Sequence, residues 1–405
     1  MLVEEQTTNA ALHEVDQKYY LPTFKRLPLA FERGEGAKVW DVEGNEYLDA
    51  LAGIAVCNLG HCHPRVVKAI QEQAAKLIHI SNFFVSEPQV ELSKKLVESS
   101  GLDRVFFSNS GAESVEGAIK IARKYAHSKG RGGSIISMTK SFHGRTLATI
   151  ATGKAKMQQG FGPMPSGFHR VPFNDIEAVR EAVSDDIAAI ILEPVQGEGG
   201  INVAKPCYLR ALRELCDQEG IVLIFDEIQC GVGRTGELFA KDHYEVQPDI
   251  MTLAKGLGSG LPVGAILSNE KVSSAIDFGD HGTTFGGNPM ACAAGLATLE
   301  AIEEEDILRK TGRKGFWLKE LLSDRLEAHP KLRQIRGLGL MIGIEFDFPT
   351  KPLMLEMMKR GVLANATAEN VLRLVPPLVI SYEELEQLAD VIAESIQALE
   401  ARGEA

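Results

Sequence analysis

The sequence predicts an α/β fold, a mostly parallel central sheet with helices on both faces, plus a smaller α+β domain. From about Val105 to Leu267, short apolar runs alternate with amphipathic helical stretches. Most of those runs are apolar at consecutive positions, as strands buried on both faces are. Towards the C-terminus the order changes to long helices around two extended segments, the pattern of an α+β unit.

Taken in order, the expected strands are Val105-Phe106-Phe107, Ile135 to Met138, Ala189 to Leu192, Ile221 to Phe225 and Ile250 to Leu253. Between them, Val115, Ala118, Ile119 and Ala122 form one helical stripe. Leu209, Leu212, Leu215 and Cys216 form another, which Gly220 terminates. Asn174 with Glu177 reads as a capping box opening a helix over Ile176, Val179 and Val183; Ser381 with Glu384 reads as another. In the C-terminal part, helices are expected over Cys292 to Glu304, Phe316 to Ala328 and Leu385 to Leu399, around strands at Ile335 to Phe346 and Val371 to Ile380. The resulting division is an N-terminal segment 1–60 packing with the small domain, a large domain 61–290 and a small domain 291–405.

Composition narrows the function. The 405 residues are 44% hydrophobic with a net charge of −12, enough for two cores and unsuited to nucleic acid or anionic membranes. No apolar run approaches the ~20 residues of a membrane span. The N-terminus carries Glu4, Glu5, Glu14 and Asp16 without an apolar core, and is not expected to be a signal peptide. Cysteines at 57, 62, 207, 216, 230 and 292 form no disulfide framework, which points to a reducing cytoplasm. His61-Cys62-His63 lacks a fourth ligand at metal spacing, so local hydrogen bonding near the His63-Pro64 turn is the expected role, and no metal site is expected. The acidic run Glu303 to Asp306 reads as a solvated helix end.

The chemistry gathers at strand ends. Lys255 follows the Ile250 run and precedes Gly256-Leu257-Gly258, while Asp226 ends the Ile221 run. Ligands in such sheets bind beyond the carboxyl ends of the strands. A lysine and a carboxylate there suit pyridoxal 5'-phosphate: the lysine holds its aldehyde and the carboxylate keeps its ring nitrogen protonated. Ser110, Gly111 and Ala112 open a helix after the Val105 run, where backbone N–H groups and the helix dipole can hold a phosphate. Phe142 can stack on a planar ring and Arg145 can grip a carboxylate bidentately. Glu193 and Glu198 add two carboxylates to the same sheet edge.

These segments resemble the class III (ornithine-type) aminotransferases of the pyridoxal-phosphate fold type I superfamily, and within them the bacterial acetylornithine aminotransferases. The resemblance runs from about Leu27 to Ile380. It rests on Asn58 to Pro64, Asn109 to Glu113, Phe142 to Thr146, Glu193 to Gly200, Asp226 to Gln229, Leu253 to Lys255, Gly282 to Pro289, and Arg373 before Pro376-Pro377. It implies that Lys255 holds the cofactor aldehyde and later moves a proton, while Asp226 pairs with the ring nitrogen. Gln229 would sit near the ring's phenolic oxygen, with Phe142 on one ring face and Ile228 on the other. Thr284 would reach the phosphate of a neighbouring subunit, making a homodimer the active unit. Arg145, with Thr283 nearby, would hold a substrate carboxylate, and Glu198 with Arg373 would form a switchable pair.

The implied reaction passes the terminal amino group of N-acetylornithine to 2-oxoglutarate, in arginine biosynthesis. Ornithine aminotransferases similar to this chain carry tyrosines where Phe24 and Ile54 align, and losing those hydroxyls favours an acylated α-nitrogen. Ala112 replaces the family's usual threonine, which removes a hydroxyl near the phosphate. Rival substrates are succinylornithine, N-succinyl-diaminopimelate, free ornithine and 4-aminobutyrate; rival classes are an aminomutase and a non-catalytic cofactor-binding protein.

Overall fold

Alternation along the strands builds the core of the computed structural model, which describes residues 7–327 and 329–404. Glu4 and Glu5 of the acidic N-terminus, and the expected helix end at Ala328, lie outside the described residues. The central sheet has seven strands: β1 (Arg104–Ser108), β2 (Ser134–Met138), β3 (Phe168–Val171), β4 (Ile187–Leu192), β5 (Val222–Asp226), β6 (Ile250–Leu253) and β7 (Gly264–Ser268). Their order is β1-β7-β6-β5-β4-β2-β3, and all neighbours are parallel except β7, which runs antiparallel to both β6 and β1. The expected runs thus become five of the seven strands, and the sheet is mixed but mostly parallel.

Successive residues of β4 and β5 face opposite layers. Ile190, Leu192, Leu223 and Phe225 pack with the Leu209, Leu212 and Cys216 stripe of the helix Pro206–Glu219. Ala189, Ile191, Val222 and Ile224 pack with Val115, Ala118 and Ala122 of the helix Gly111–Ser128. Each large aliphatic side chain buried this way contributes roughly 1.5–3 kcal/mol. Gly220 ends the Pro206–Glu219 helix at φ +66°, a backbone state that side-chain-bearing residues rarely adopt.

Three local expectations are corrected. Asn174 is not a helix cap: its φ is +64° and its amide serves Val203 O and Lys205 N, whereas Asp175 Oδ1 accepts from Ala178 N at 3.0 Å. The extended backbone that a cap needs is available only one residue later. Ile335 to Phe346 is not one strand but a hairpin, Leu332–Leu338 and Met341–Phe346. Gly339, at φ +51°, turns it against the Thr235 backbone, where a Cβ would lie 2.4 Å from a carbonyl carbon. The strand from Val371 stops at Leu374, because Pro376 and Pro377 have no N–H for the ladder. The Ser381–Glu384 capping box forms as expected, with reciprocal bonds of 3.1 and 2.7 Å, and opens the helix Tyr382–Ala401.

The N-terminal meander, Phe31–Glu35, Lys38–Asp41 and Glu46–Asp49, accepts Val362–Leu363 as a parallel edge strand. The helix Pro289–Glu304 packs against Pro64–Lys76 and Glu87–Ser100. The acidic end of Pro289–Glu304 is not merely solvated, since Glu303 pairs with Lys95, Glu304 with Arg65 and Glu305 with His63. His61, in turn, reaches Asp49 at 2.7 Å. The two histidines therefore bind distant carboxylates rather than their own turn, and among the described residues no metal-binding cluster forms. The six cysteines are free.

Candidate active site

Five parallel strands deliver residues to one edge, as their common direction requires. The ends of β1, β2, β4, β5 and β6 line a cavity of about 390 Å³ that contains Ser110, Gly111, Ala112, Phe142, Arg145, Asp226, Ile228, Gln229 and Lys255. Ser110 Oγ accepts from Glu113 N at 3.3 Å and Glu113 accepts from Asn109 N at 2.6 Å, so the start of Gly111–Ser128 is fixed beside the cavity. Gly111 cannot carry a side chain there, because its Cβ would lie 2.9 Å from Ile228.

Lys255 has a left-handed backbone, φ +45°, two residues beyond the end of β6. Such strain costs about 1–3 kcal/mol and survives only where the surroundings enforce it. The following Gly256 packs against Asn58, and a Cβ would lie 2.2 Å from the Asn58 amide nitrogen. Burial lowers the Lys255 pKa below 10.5; Glu198 pulls it up, and Arg373 adds to the lowering. An amine held closer to neutrality is a better nucleophile towards a carbonyl.

Asp226 is 3% exposed. Its Oδ2 meets His143 Nδ1 at 2.6 Å and its Oδ1 accepts from Ile228 N at 3.1 Å. Burial works to lower the His143 pKa, but the bond and charge of Asp226 outweigh it and raise it. Glu193 lies close by, accepting from Phe142 N and Gly197 N at 3.0 Å each. Burial pushes its carboxyl up to about 7, against the pull of His143. His143 and Glu193 are the residues to which sequence reasoning assigned no role. The available signal was positional: His143 follows Phe142 in the loop after β2, and Glu193 is the first residue beyond β4.

Glu198 and Arg373 form an ion pair. Arg373 also donates to Gln229 Oε1 at 3.2 Å and Asn365 Oδ1 at 2.8 Å, and is 1% exposed. Burial would raise the Glu198 pKa, yet the Arg373 charge and hydrogen bond hold it below the ordinary value. Arg145, by contrast, is exposed, with its guanidinium 5.2 Å from the Phe142 ring centre and no carboxylate partner among the described residues. Thr283 and Thr284 do not line this cavity. Thr283 Oγ1 accepts from Asn109 Nδ2 at 3.1 Å, and Thr284 is exposed.

One further feature escaped the sequence. Ala52, Gly53, Ile54 and Ala55 run left-handed in succession, φ 50°, 65°, 67° and 59°, leading to Val56 on the cavity wall. Asp49 Oδ1 fixes the start of this turn by accepting from Leu51 N and Ala52 N at 2.8 Å each.

A buried amine, a carboxylate, an apolar wall of Phe142, Ile228 and Leu261, and the N-terminus of an 18-residue helix fit a planar, phosphorylated aldehyde such as pyridoxal phosphate. Known proteins agree. The family model for class-III aminotransferases matches residues 19–396. The acetylornithine aminotransferase of Methanocaldococcus jannaschii is 54% identical over 384 residues, 94% of this chain and 96% of that protein. The ornithine aminotransferase of Toxoplasma gondii superimposes with a TM-score of 0.95 at 36% identity, over 98% of this chain and 97% of that one. The acetylornithine aminotransferase of Elizabethkingia anophelis gives 0.86 at 36% identity, over 97% and 100%.

Proposed function

The chain belongs to the class-III aminotransferase family, and we propose that it is an acetylornithine aminotransferase. It passes the terminal amino group of N2-acetylornithine to 2-oxoglutarate by a ping-pong route, giving N-acetylglutamate 5-semialdehyde and glutamate for arginine biosynthesis. The observation that carries this reading is the contrast between two arginines. Arg145 has no carboxylate partner among the described residues, while Arg373 is covered by Glu198.

The contrast matches the two substrates. Acetylornithine carries its carboxylate far from the reacting carbon, where Arg145 can hold it. 2-Oxoglutarate and glutamate each carry one carboxylate far away and one on the reacting carbon, so this pair alone needs Arg373 uncovered. Bound pyridoxal phosphate supplies the electron sink for the amino exchange. Lys255 would take and return the proton at the reacting carbon, and Asp226, held by His143, would keep the cofactor's ring nitrogen protonated. Ser110, Gly111 and Ala112 would hold its phosphate, Gln229 would serve its phenolic oxygen, and Phe142 and Ile228, which line the same cavity, would exclude water from it. The apolar side chains of Phe24, 70% exposed, and Ile54 offer no hydroxyl to a free α-amino group, which supports an acylated substrate.

Two parts of the proposal concern the whole enzyme. It works as a homodimer in which Thr284 binds the partner's cofactor phosphate, and it works in the cytoplasm; no helix among the described residues is long and apolar enough to cross a membrane. Side-by-side rates with acetylornithine, succinylornithine, ornithine and 4-aminobutyrate, each with 2-oxoglutarate, test the substrate. Acetylornithine is expected to be fastest, and a faster rate with free ornithine would overturn the assignment.

A further inference from the structure

Behind the turn that carries Glu198 lies a second cavity of about 680 Å³, which shares no lining residue with the catalytic one. Its charged lining is Lys140, Lys154, Lys205 and Arg336 against Glu345 and Glu369, a net charge of +2 on a chain of −12. Arg336 is already committed: it pairs with Glu345 and donates to Gly200 O at 2.6 Å and Ile201 O at 3.0 Å. The three lysines have no carboxylate within ion-pairing distance among the described residues. Lys140 and Glu369 on the rim adopt left-handed backbones, φ +66° and +68°.

The cavity is mechanically close to the catalytic ion pair. Gly199 separates it from Glu198, and a Cβ on Gly199 would lie 2.8 Å from Lys140 O. Thr367, two residues before Glu369, donates to Glu198 O at 3.0 Å. Residues 199–201 thus sit between the Lys140 backbone and the Arg336 guanidinium, while Thr367 holds the carbonyl of Glu198 beside them.

We propose that this cleft binds a small multivalent anion, a polycarboxylate or a phosphate, and that its occupancy holds Glu198 on Arg373. Lysine ammonium groups are compact donors suited to carboxylate and phosphate oxygens. An anion bridging them draws the walls of the cleft together and restrains the backbone that must move when Glu198 leaves Arg373. That second half rests on the switch reading given above.

Calorimetric titration of citrate, and separately of inorganic phosphate, into the cofactor-loaded enzyme tests the site. One saturable event is expected, weakened about tenfold by combining Lys140→Ala, Lys154→Ala and Lys205→Ala, because each exposed ion pair is worth a fraction of a tenfold step. Turnover without anion is retained in that variant, and single Lys140→Gln and Lys205→Gln enzymes each show part of the loss. Binding of citrate alone assigns polycarboxylates, and binding of phosphate alone assigns phosphates. No binding of either, or unchanged affinity in the triple variant, overturns the site. With the anion bound, KM for glutamate should rise about fivefold, within the usual range of site–site coupling, while the acetylornithine half-reaction is unchanged. Equal glutamate kinetics with and without bound anion overturn the restraint on Glu198. Glu198→Ala enzyme that binds the anion normally but shows no glutamate effect supports both halves; if that variant keeps the effect, the switch reading fails and the site stands.

Discussion

At the scale of single residues, the reading turns on Lys255 and Glu198. Lys255→Ala should abolish turnover and the visible absorption band of lysine-linked cofactor, while cofactor still binds through Gly111 and Asp226; full activity would remove Lys255 from its role. The lowered pKa of Lys255 has a definite sign. Only the neutral amine captures an aldehyde, so the rate at which cofactor-free enzyme recombines with pyridoxal phosphate should rise with pH and reach half its maximum below 10.5, the ordinary lysine value. A midpoint at or above that value would contradict it. Glu198→Ala leaves Arg373 cationic, held only by the neutral amides Gln229 and Asn365. Losing a buried charge partner costs about 2–5 kcal/mol, so the effect should be large. Single-turnover traces should show glutamate's half-reaction preserved or faster and acetylornithine's slowed. Equal slowing of both would sink the switch.

At the scale of elements, the strands were legible and the turns were not. Buried parallel strands declare themselves by consecutive apolar residues, and helices by their stripes, so β1, β2, β4, β5, β6 and the Pro206–Glu219 helix followed from sequence. β3 and β7 did not, because Phe168 to Val171 holds His169 and Arg170, and Gly264 to Ser268 begins and ends with small residues around a short apolar stretch. The candidate site was legible where a residue ends a strand, as Asp226 does, or follows one closely, as Lys255 does. It was illegible where position comes from a long-range partner, as with His143 on Asp226 or the left-handed turn at Ala52–Ala55. That turn is pinned by Asp49, which also binds His61. The Asp49 hydrogen bond raises the His61 pKa from 6.5 to about 10, with further help from Cys57. A raised folded-state pKa stabilises fully below the unfolded value, about 6.5, and that stability is lost as pH rises to about 10. The melting temperature should therefore decline across this window, and His61→Ala should flatten the decline as well as lowering stability at pH 6. Identical pH slopes in both proteins would show that the pair does not stabilise the turn.

At the scale of the whole molecule, the single chain leaves an apolar surface uncovered. Ile78, Phe83, Phe84, Val85 and Phe285 are 56%, 93%, 62%, 78% and 62% exposed. Scattered exposed apolar side chains are ordinary, but these belong to two segments that touch one another. Asn82 donates to Thr283 O and Gly286 O at 3.2 and 3.0 Å, which ties the Phe83 segment to the loop carrying Thr284. A second copy of the chain, seated on this patch, would bury it and present Thr284 to the neighbouring site at once. Two substitutions separate those consequences. Thr284→Ala removes only a hydroxyl, and a hydrogen bond to a charged group is worth about 1.5–3 kcal/mol. It should weaken cofactor binding while sedimentation still shows a dimer and substrate preference is unchanged. Phe83→Asp with Val85→Asp places charges on the patch and should give a monomer that retains cofactor poorly, although neither residue lines the catalytic cavity. A double variant that sediments as a monomer yet holds cofactor and turns over normally would show that each chain carries a complete site, and Thr284 would then have no partner to serve.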